Sequence, residues 1–174
     1  MPHNSRKPRK PQPPVPKLSR HAQAEFGPGK KGLILCDTCG IAYFKKSWHH
    51  RMDDMKSIGE HDTPIAFKTC PSCAMIKHGQ YEGRITITGV PSSHRDELLK
   101  LIENSGAQAY QNDPLDRVIA IVPDRSQIVV TTTENQLANK IAQKIKHTFN
   151  GVKTATKFIG APSDVCEVMI MFQQ

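Results

Sequence analysis

Two hydrophobic periods alternate along the second half of the chain. The β-branched run Arg84-Ile85-Thr86-Ile87-Thr88-Gly89-Val90 predicts a strand, and Pro91 stops it. Ser92 or Ser93 is then placed to cap a helix, with Asp96 and Glu97 in its first turns. Leu98, Leu99, Leu101 and Ile102 form its apolar stripe, and Gly106 is the expected terminator. Ala107 to Gln111 reads as a weak strand, and Asn112-Asp113-Pro114 as a turn. Val118 to Val122 and Ile128 to Thr132 read as strands on either side of the turn Pro123-Asp124-Arg125. Thr133-x-x-Gln136 has the form of a capping box for a helix that repeats Leu137, Ile141, Ile145 and Phe149. Lys140, Lys144, Lys146 and His147 form its polar face, and Gly151 ends it. Val152 to Ile159 and Val165 to Phe172 follow as strands, with Cys166, Val168, Ile170 and Phe172 on one face. Two helices against one face of a mainly antiparallel sheet make an α+β sandwich close to the ferredoxin-like split βαβ. Residues 81–174 are assigned to it.

Upstream the pattern gives way to cysteines. Cys36-Asp-Thr-Cys39-Gly40 and Cys70-Pro-Ser-Cys73 are two C-x2-C pairs separated by 30 residues. Thiolates at i and i+3 of a tight turn point to one centre, and zinc takes four such ligands tetrahedrally. Cys36, Cys39, Cys70 and Cys73 therefore predict a zinc ribbon or treble-clef module over residues 33–80, with a sizeable loop or short helix between the knuckles. Small residues after each pair, Gly40 and Ala74, suit turns whose amides approach sulfur, and Pro71 stiffens the second. Disulfides fit poorly without a secretory signal. A thioredoxin-type site needs one pair beside a βαβ unit, and iron–sulfur sites usually space their cysteines differently. His49 or His50 could serve a catalytic zinc only if a cysteine were idle, and the H-x-E of zinc deaminases is missing. The fifth cysteine, Cys166, reads as a buried core thiol.

Charge changes the picture of the first 32 residues. The chain of 174 residues carries a net charge of +8. Eight basic residues, Arg6, Lys7, Arg9, Lys10, Lys17, Arg20, Lys30 and Lys31, stand against one acid, Glu25, in residues 1–32. Seven of the 13 prolines are there too, so the remaining 142 residues are nearly neutral. Such a segment buries too little apolar surface to offset its ordering entropy, which predicts a disordered tail biased toward polyproline II. It has neither the apolar run of a signal peptide nor the amphipathic period of a transit peptide. Its chemistry suits phosphate contact on RNA or DNA; a nuclear-import signal or a solubilising tail would look similar. No stretch approaches the ~20 apolar residues that span a bilayer.

Between the knuckles, Tyr43-Phe44-Lys45-Lys46-Ser47-Trp48-His49-His50-Arg51 mixes aromatics with positive charge. Trp48 could stack a base while Lys45, Lys46, His49, His50 and Arg51 meet phosphate. Equally, Tyr43, Phe44 and Trp48 could cover the metal site. Asp53, Asp54, Glu60 and Asp62 cancel part of the local field. No phosphate-cradling loop or nucleophile elbow appears, so no catalytic residue, small-molecule substrate or enzymatic activity is expected.

C-x2-C-Gly40, then Cys70-Pro-x-Cys73 followed by His78-Gly-Gln-Tyr-Glu-Gly-Arg-Ile-Thr-Ile-Thr-Gly89, resembles the nonsense-mediated-decay-protein-three family, where a cysteine knuckle precedes a Tyr-Glu strand ending in Gly. Val130-Thr-Thr-Thr133 leading into a helix with Ala138, Ile141 and Ala142, and the strand Val152 to Ile159 followed by a second strand, extend the resemblance over residues 33–172. It implies a large-ribosomal-subunit factor. Eukaryotic members act in late maturation and nuclear export; one cysteine quartet here, where larger members have two zinc sites, points to a short prokaryotic-type member. The expectation is a non-enzymatic, cytoplasmic zinc protein that binds ribosomal RNA and the large subunit, with no membrane partner. A zinc-ribbon DNA-binding, transcription-associated regulator and a protein-interaction adaptor are the alternatives.

Overall fold

The computed structural model describes residues 33–44, 46–50, 65–160 and 165–173, all within one compact unit, Lys31–Gln174. The eight basic residues of the tail, with Lys45 and Arg51, lie outside the described residues. The fold is α+β with two sheets, and the apolar periods of the sequence decide which faces meet.

The first sheet is small. It comprises β1 (Leu33–Leu35), β2 (Ala42–Phe44), β3 (Ser47–His49) and β4 (Ile65–Phe67), in the order β3-β2-β1-β4. β1–β2 and β2–β3 are antiparallel, whereas β4 pairs parallel to β1. Leu33 and Ala42 are buried at its centre, with Leu35 and Phe44 packed on them. A short helix, α1 (Pro71–Lys77), follows, with Pro71 in its first turn where a missing N–H costs nothing.

The second sheet is the body of the protein. Its strands are β5 (Gly83–Thr88), β6 (Val118–Pro123), β7 (Gln127–Thr132), β8 (Val152–Ile159) and β9 (Val165–Phe172), in the order β6-β7-β5-β9-β8. The helices are α2 (Arg95–Asn112) and α3 (Asn135–Thr148). β5, α2 and β6 form the expected split βαβ, with β7 antiparallel in the gap. Beyond the plain ferredoxin-like arrangement there is one more strand. β9 inserts between β5 and β8, parallel to β5 and antiparallel to β8.

Both helices cover one face. Ile85, Ile87, Ile128, Val130, Val168 and Ile170 point into a core with Leu98 and Ile102 of α2 and Leu137, Ile141 and Ile145 of α3. Cys166 is fully buried among them, and Asn139 Nδ2 donates to its sulfur at 3.2 Å. No helix among the described residues covers the other face, and Val122, Met169 and Met171 are exposed on it. Lys140, Lys144, Lys146 and His147 of α3 face solvent, as expected.

Three local expectations are corrected. Gly106 does not end α2, which runs to Asn112, so Ala107–Gln111 is helical rather than a strand. Gly106 lets α2 press on β6, since a Cβ there would stand 2.6 Å from Val118 Cγ2. Ser92 and Ser93 lie in a short 3₁₀ turn before α2 and make no cap. Thr133 is not an N-cap either. Its hydroxyl donates to the Leu115 carbonyl (2.7 Å) and accepts the Arg117 amide (2.8 Å), pinning the segment ahead of β6.

Candidate metal centre

Each cysteine pair sits where local geometry turns backbone N–H groups toward sulfur. In the first, the Gly40 amide donates to the Cys36 carbonyl and the Cys36 amide to the Ile41 carbonyl, closing a knuckle between β1 and β2. Gly40 adopts φ of 75°, a left-handed conformation that costs glycine nothing. In the second, Cys70 caps α1 and its sulfur accepts the Cys73 amide (3.4 Å). Across the centre, the Cys70 amide donates to Cys36 Sγ at 3.2 Å. The Thr69 hydroxyl donates to the Asp37 carboxylate (3.0 Å), tying the knuckles together.

The four sulfurs all lie within 4.8 Å of one another, and Cys36, Cys70 and Cys73 are buried. Knuckle, hairpin β2–β3 and a helix whose first turn carries the second pair make this a treble-clef arrangement rather than a ribbon. Neither histidine belongs to the sulfur cluster. His49 Nε2 shares a 2.9 Å hydrogen bond with Ser47 Oγ, and the His50 ring stands edge-on to Tyr110 with its Nε2 buried and without a hydrogen-bond partner among the described residues.

Sequence reasoning missed Arg117. Its Nη1 donates to Cys73 Sγ (3.4 Å) and its Nη2 to Cys39 Sγ (3.1 Å), a fork spanning both pairs. Its Nε donates to the Pro114 carbonyl (3.0 Å), and its guanidinium lies 5.2 Å from the Tyr110 ring centroid. Asp113 Oδ1 accepts the Leu115 amide (2.8 Å), and Ser72 of α1 donates to the Leu115 carbonyl (2.7 Å). The segment 113–117 is thus a bracket bolted to the helix that carries Cys70 and Cys73. Nothing in the local sequence marks Arg117, which stands 44 residues beyond Cys73.

The electrostatics suit thiolates sharing a cation. Burial opposes ionisation of Cys36, but the amides of Cys39, Cys70 and Thr38 outweigh it and bring its pKa down to about 6. Burial pushes the Cys70 and Cys73 thiols up, and the nearby Cys39 sulfur adds to it in both. Arg117 is also half-buried, yet the sulfurs hold its proton more firmly than usual. A soft divalent cation would relieve the crowding of four sulfurs, and Arg117 would offset part of the remaining negative charge. If all four sulfurs bound zinc, they would complete its usual four-coordinate shell and leave no open position for water.

The RNA-contact candidates separate. Trp48 is buried at 8% exposure, its ring 5.4 Å from Tyr43, so it covers the first sheet and presents no open face for stacking. Lys46 is exposed in the β2–β3 turn, and His49 and His50 are half-buried. Phe67, at 70% exposure on β4, is an open aromatic that hydrophobic patterning passed over.

The geometry defines a four-cysteine, treble-clef-type metal module docked on a five-stranded α+β sandwich. No family model matches the chain, and no curated protein is detectably similar to it.

Proposed function

We propose that the chain is a non-enzymatic, cytoplasmic zinc protein that binds ribosomal RNA on the large ribosomal subunit. The observation that carries it is the closed cysteine quartet. A site with four protein ligands and an arginine across two of them does no hydrolysis; it stabilises a small module whose surface is the functional part. Zinc is the cation that best fits four thiolates at tetrahedral spacing. The basic tail, Lys45, Lys46 and Arg51 supply phosphate contacts in this reading, and the resemblance over residues 33–172 supplies the ribosome. No helix among the described residues is long and apolar enough to cross a membrane.

Co-sedimentation with purified large subunits, against duplex DNA of matched charge, tests the reading. Pelleting with subunits and metal analysis giving one zinc per chain are expected. Preference for duplex DNA would replace it with the transcription-associated alternative. If the eight basic tail residues meet phosphate, log affinity should fall against log salt with a slope of roughly −6 to −7, and deleting residues 1–32 should flatten it. One observation favours a second reading, a protein-interaction adaptor: Val122, Met169 and Met171 stand exposed on the sheet face opposite α2 and α3.

A further inference from the structure

We propose that single-stranded RNA lies along the outer strand β8, in the step between that strand and α3, with an unpaired base stacked on Phe158. The inference rests on the RNA-binding reading above and gives it a site in the α+β domain.

The step follows from where the helix layer stops. On the helix side of the sheet, Thr154, Thr156 and Phe158 stand opposite Ile170, Val168 and Cys166 of β9. The β9 residues are buried, whereas every β8 residue after Val152 is exposed. Asn139 marks the boundary, because its bond to Cys166 sets that flank of α3 over β9. Gln143 and Lys146 continue the flank at helical spacing, and both are exposed. The result is a shelf of Thr154, Thr156 and Phe158, the ring 63% exposed, beside a wall of Gln143 and Lys146.

That set of groups matches one ligand chemistry. A phenyl ring offers a face to any base, threonine hydroxyls and a glutamine amide offer hydrogen bonds, and lysine meets phosphate. α3 and β8 together hold five lysines and no acid. Lys153 and Lys157 stand on the strand's opposite face, where Glu167 is the register partner of Lys157. Charge also argues against a second copy of the chain. A symmetric β8–β8 pair would gather four lysines along one seam, the arrangement by which edge strands resist self-pairing. Among the described residues, the sheet face opposite α2 and α3 is a poorer RNA surface, since its exposed large residues are Val122, Ile159, Met169 and Met171, none aromatic. Duplex RNA keeps its bases stacked inside, which leaves nothing for Phe158 to receive.

The test uses the full chain and a labelled ten-nucleotide uridine RNA, with a duplex RNA of equal length as control, read by fluorescence anisotropy. Phe158→Ala should weaken single-strand binding roughly tenfold or more and leave duplex binding and the melting temperature unchanged. Phe158→Trp should restore or tighten it, whereas Phe158→Leu, with apolar bulk but no ring, should not. Lys146→Ala should lower the salt slope by about one. Equal single-strand affinity for wild type and Phe158→Ala overturns the site; if wild type still pellets with large subunits, the broader reading stands without it. Wild type that binds neither the oligomer nor the subunits overturns both. A dimer in solution that Thr156→Pro converts to monomer assigns the edge to a second copy and overturns the proposal.

Discussion

The five-stranded sheet has two edges, and the chain treats them oppositely. β6 is pressed by α2 where Gly106 meets Val118, and it is led in by the Pro114–Arg117 bracket that holds the cysteine sulfurs. Beside it, α2 and β6 leave an open groove of about 580 Å³ whose lining includes Tyr110 and Arg117. Among the described residues β8 has one neighbour, β9, and is exposed on both faces. One edge joins the sheet to the metal module; the other stands open among the described residues, as the proposed RNA site requires. Stability and binding are therefore expected to respond to different residues.

The strongest way to break this asymmetry is to remove the metal. Chelation, or Cys70→Ser, should unfold the first module, since structural zinc contributes an apparent ~10–16 kcal/mol in small modules. The five-stranded core should persist. Hydrogen exchange checks the outcome: amides of β6 and of residues 113–117 should lose protection, while those of the β8–β9 hairpin should not.

Arg117→Ala acts on the same edge while leaving all four cysteines in place. It removes two hydrogen bonds to sulfur, each charge-assisted once the sulfur is a thiolate, which predicts a loss of about 1.5–3 kcal/mol. The measurement is the rate at which a chelator extracts metal from protein loaded with zinc, which should rise. Arg117→Lys should recover only part of the effect, because an ammonium cannot span Cys39 and Cys73 as a fork does. Gly106→Ala crowds Val118 and should cost about 1–3 kcal/mol in denaturant unfolding. Thr156→Ala on the bare edge should change stability by less than about 0.5 kcal/mol.

The anchored side is also expected to show a pH dependence. Burial, with Glu82, Asp116 and Asp113 nearby, raises Glu134 from 4.5 to about 7. Between those values the folded protein binds more protons than the unfolded chain, so this group's contribution to stability falls as pH rises through that window. Glu134→Gln should flatten the stability–pH profile there, as followed by thermal melts from pH 4 to 8.

Much of this architecture was legible because one rule governed each stretch. The period-two run of β9 and the stripe Leu137, Ile141, Ile145, Phe149 each face one core, and both lie where patterning put them. Cysteine spacing was legible because four ligands on two tight turns constrain each other locally. The errors share a different cause. Gly106 and Thr133 have the signatures of a helix end and a helix cap, yet each serves a contact with the β6 segment that no window of local sequence contains. Trp48 is ambiguous in sequence for the same reason, since only the strand register sets it against Tyr43. Arg117 was invisible because its role depends wholly on how the sheet's first edge meets the metal module.

The placement of β9 has a kinetic consequence. It is the last described strand in the chain, yet it occupies the interior of the sheet, with Thr88 bonded to Ile170 across 82 residues of sequence. A β8–β9 hairpin can form locally, but β5 cannot gain its second neighbour until the ends of that long loop meet, an entropic cost borne before the contact stabilises anything. Until then β5 and β9 both present unpaired edges. The step that completes the core is therefore the slow one, and the interval before it is when the chain is most prone to misassembly with other strands.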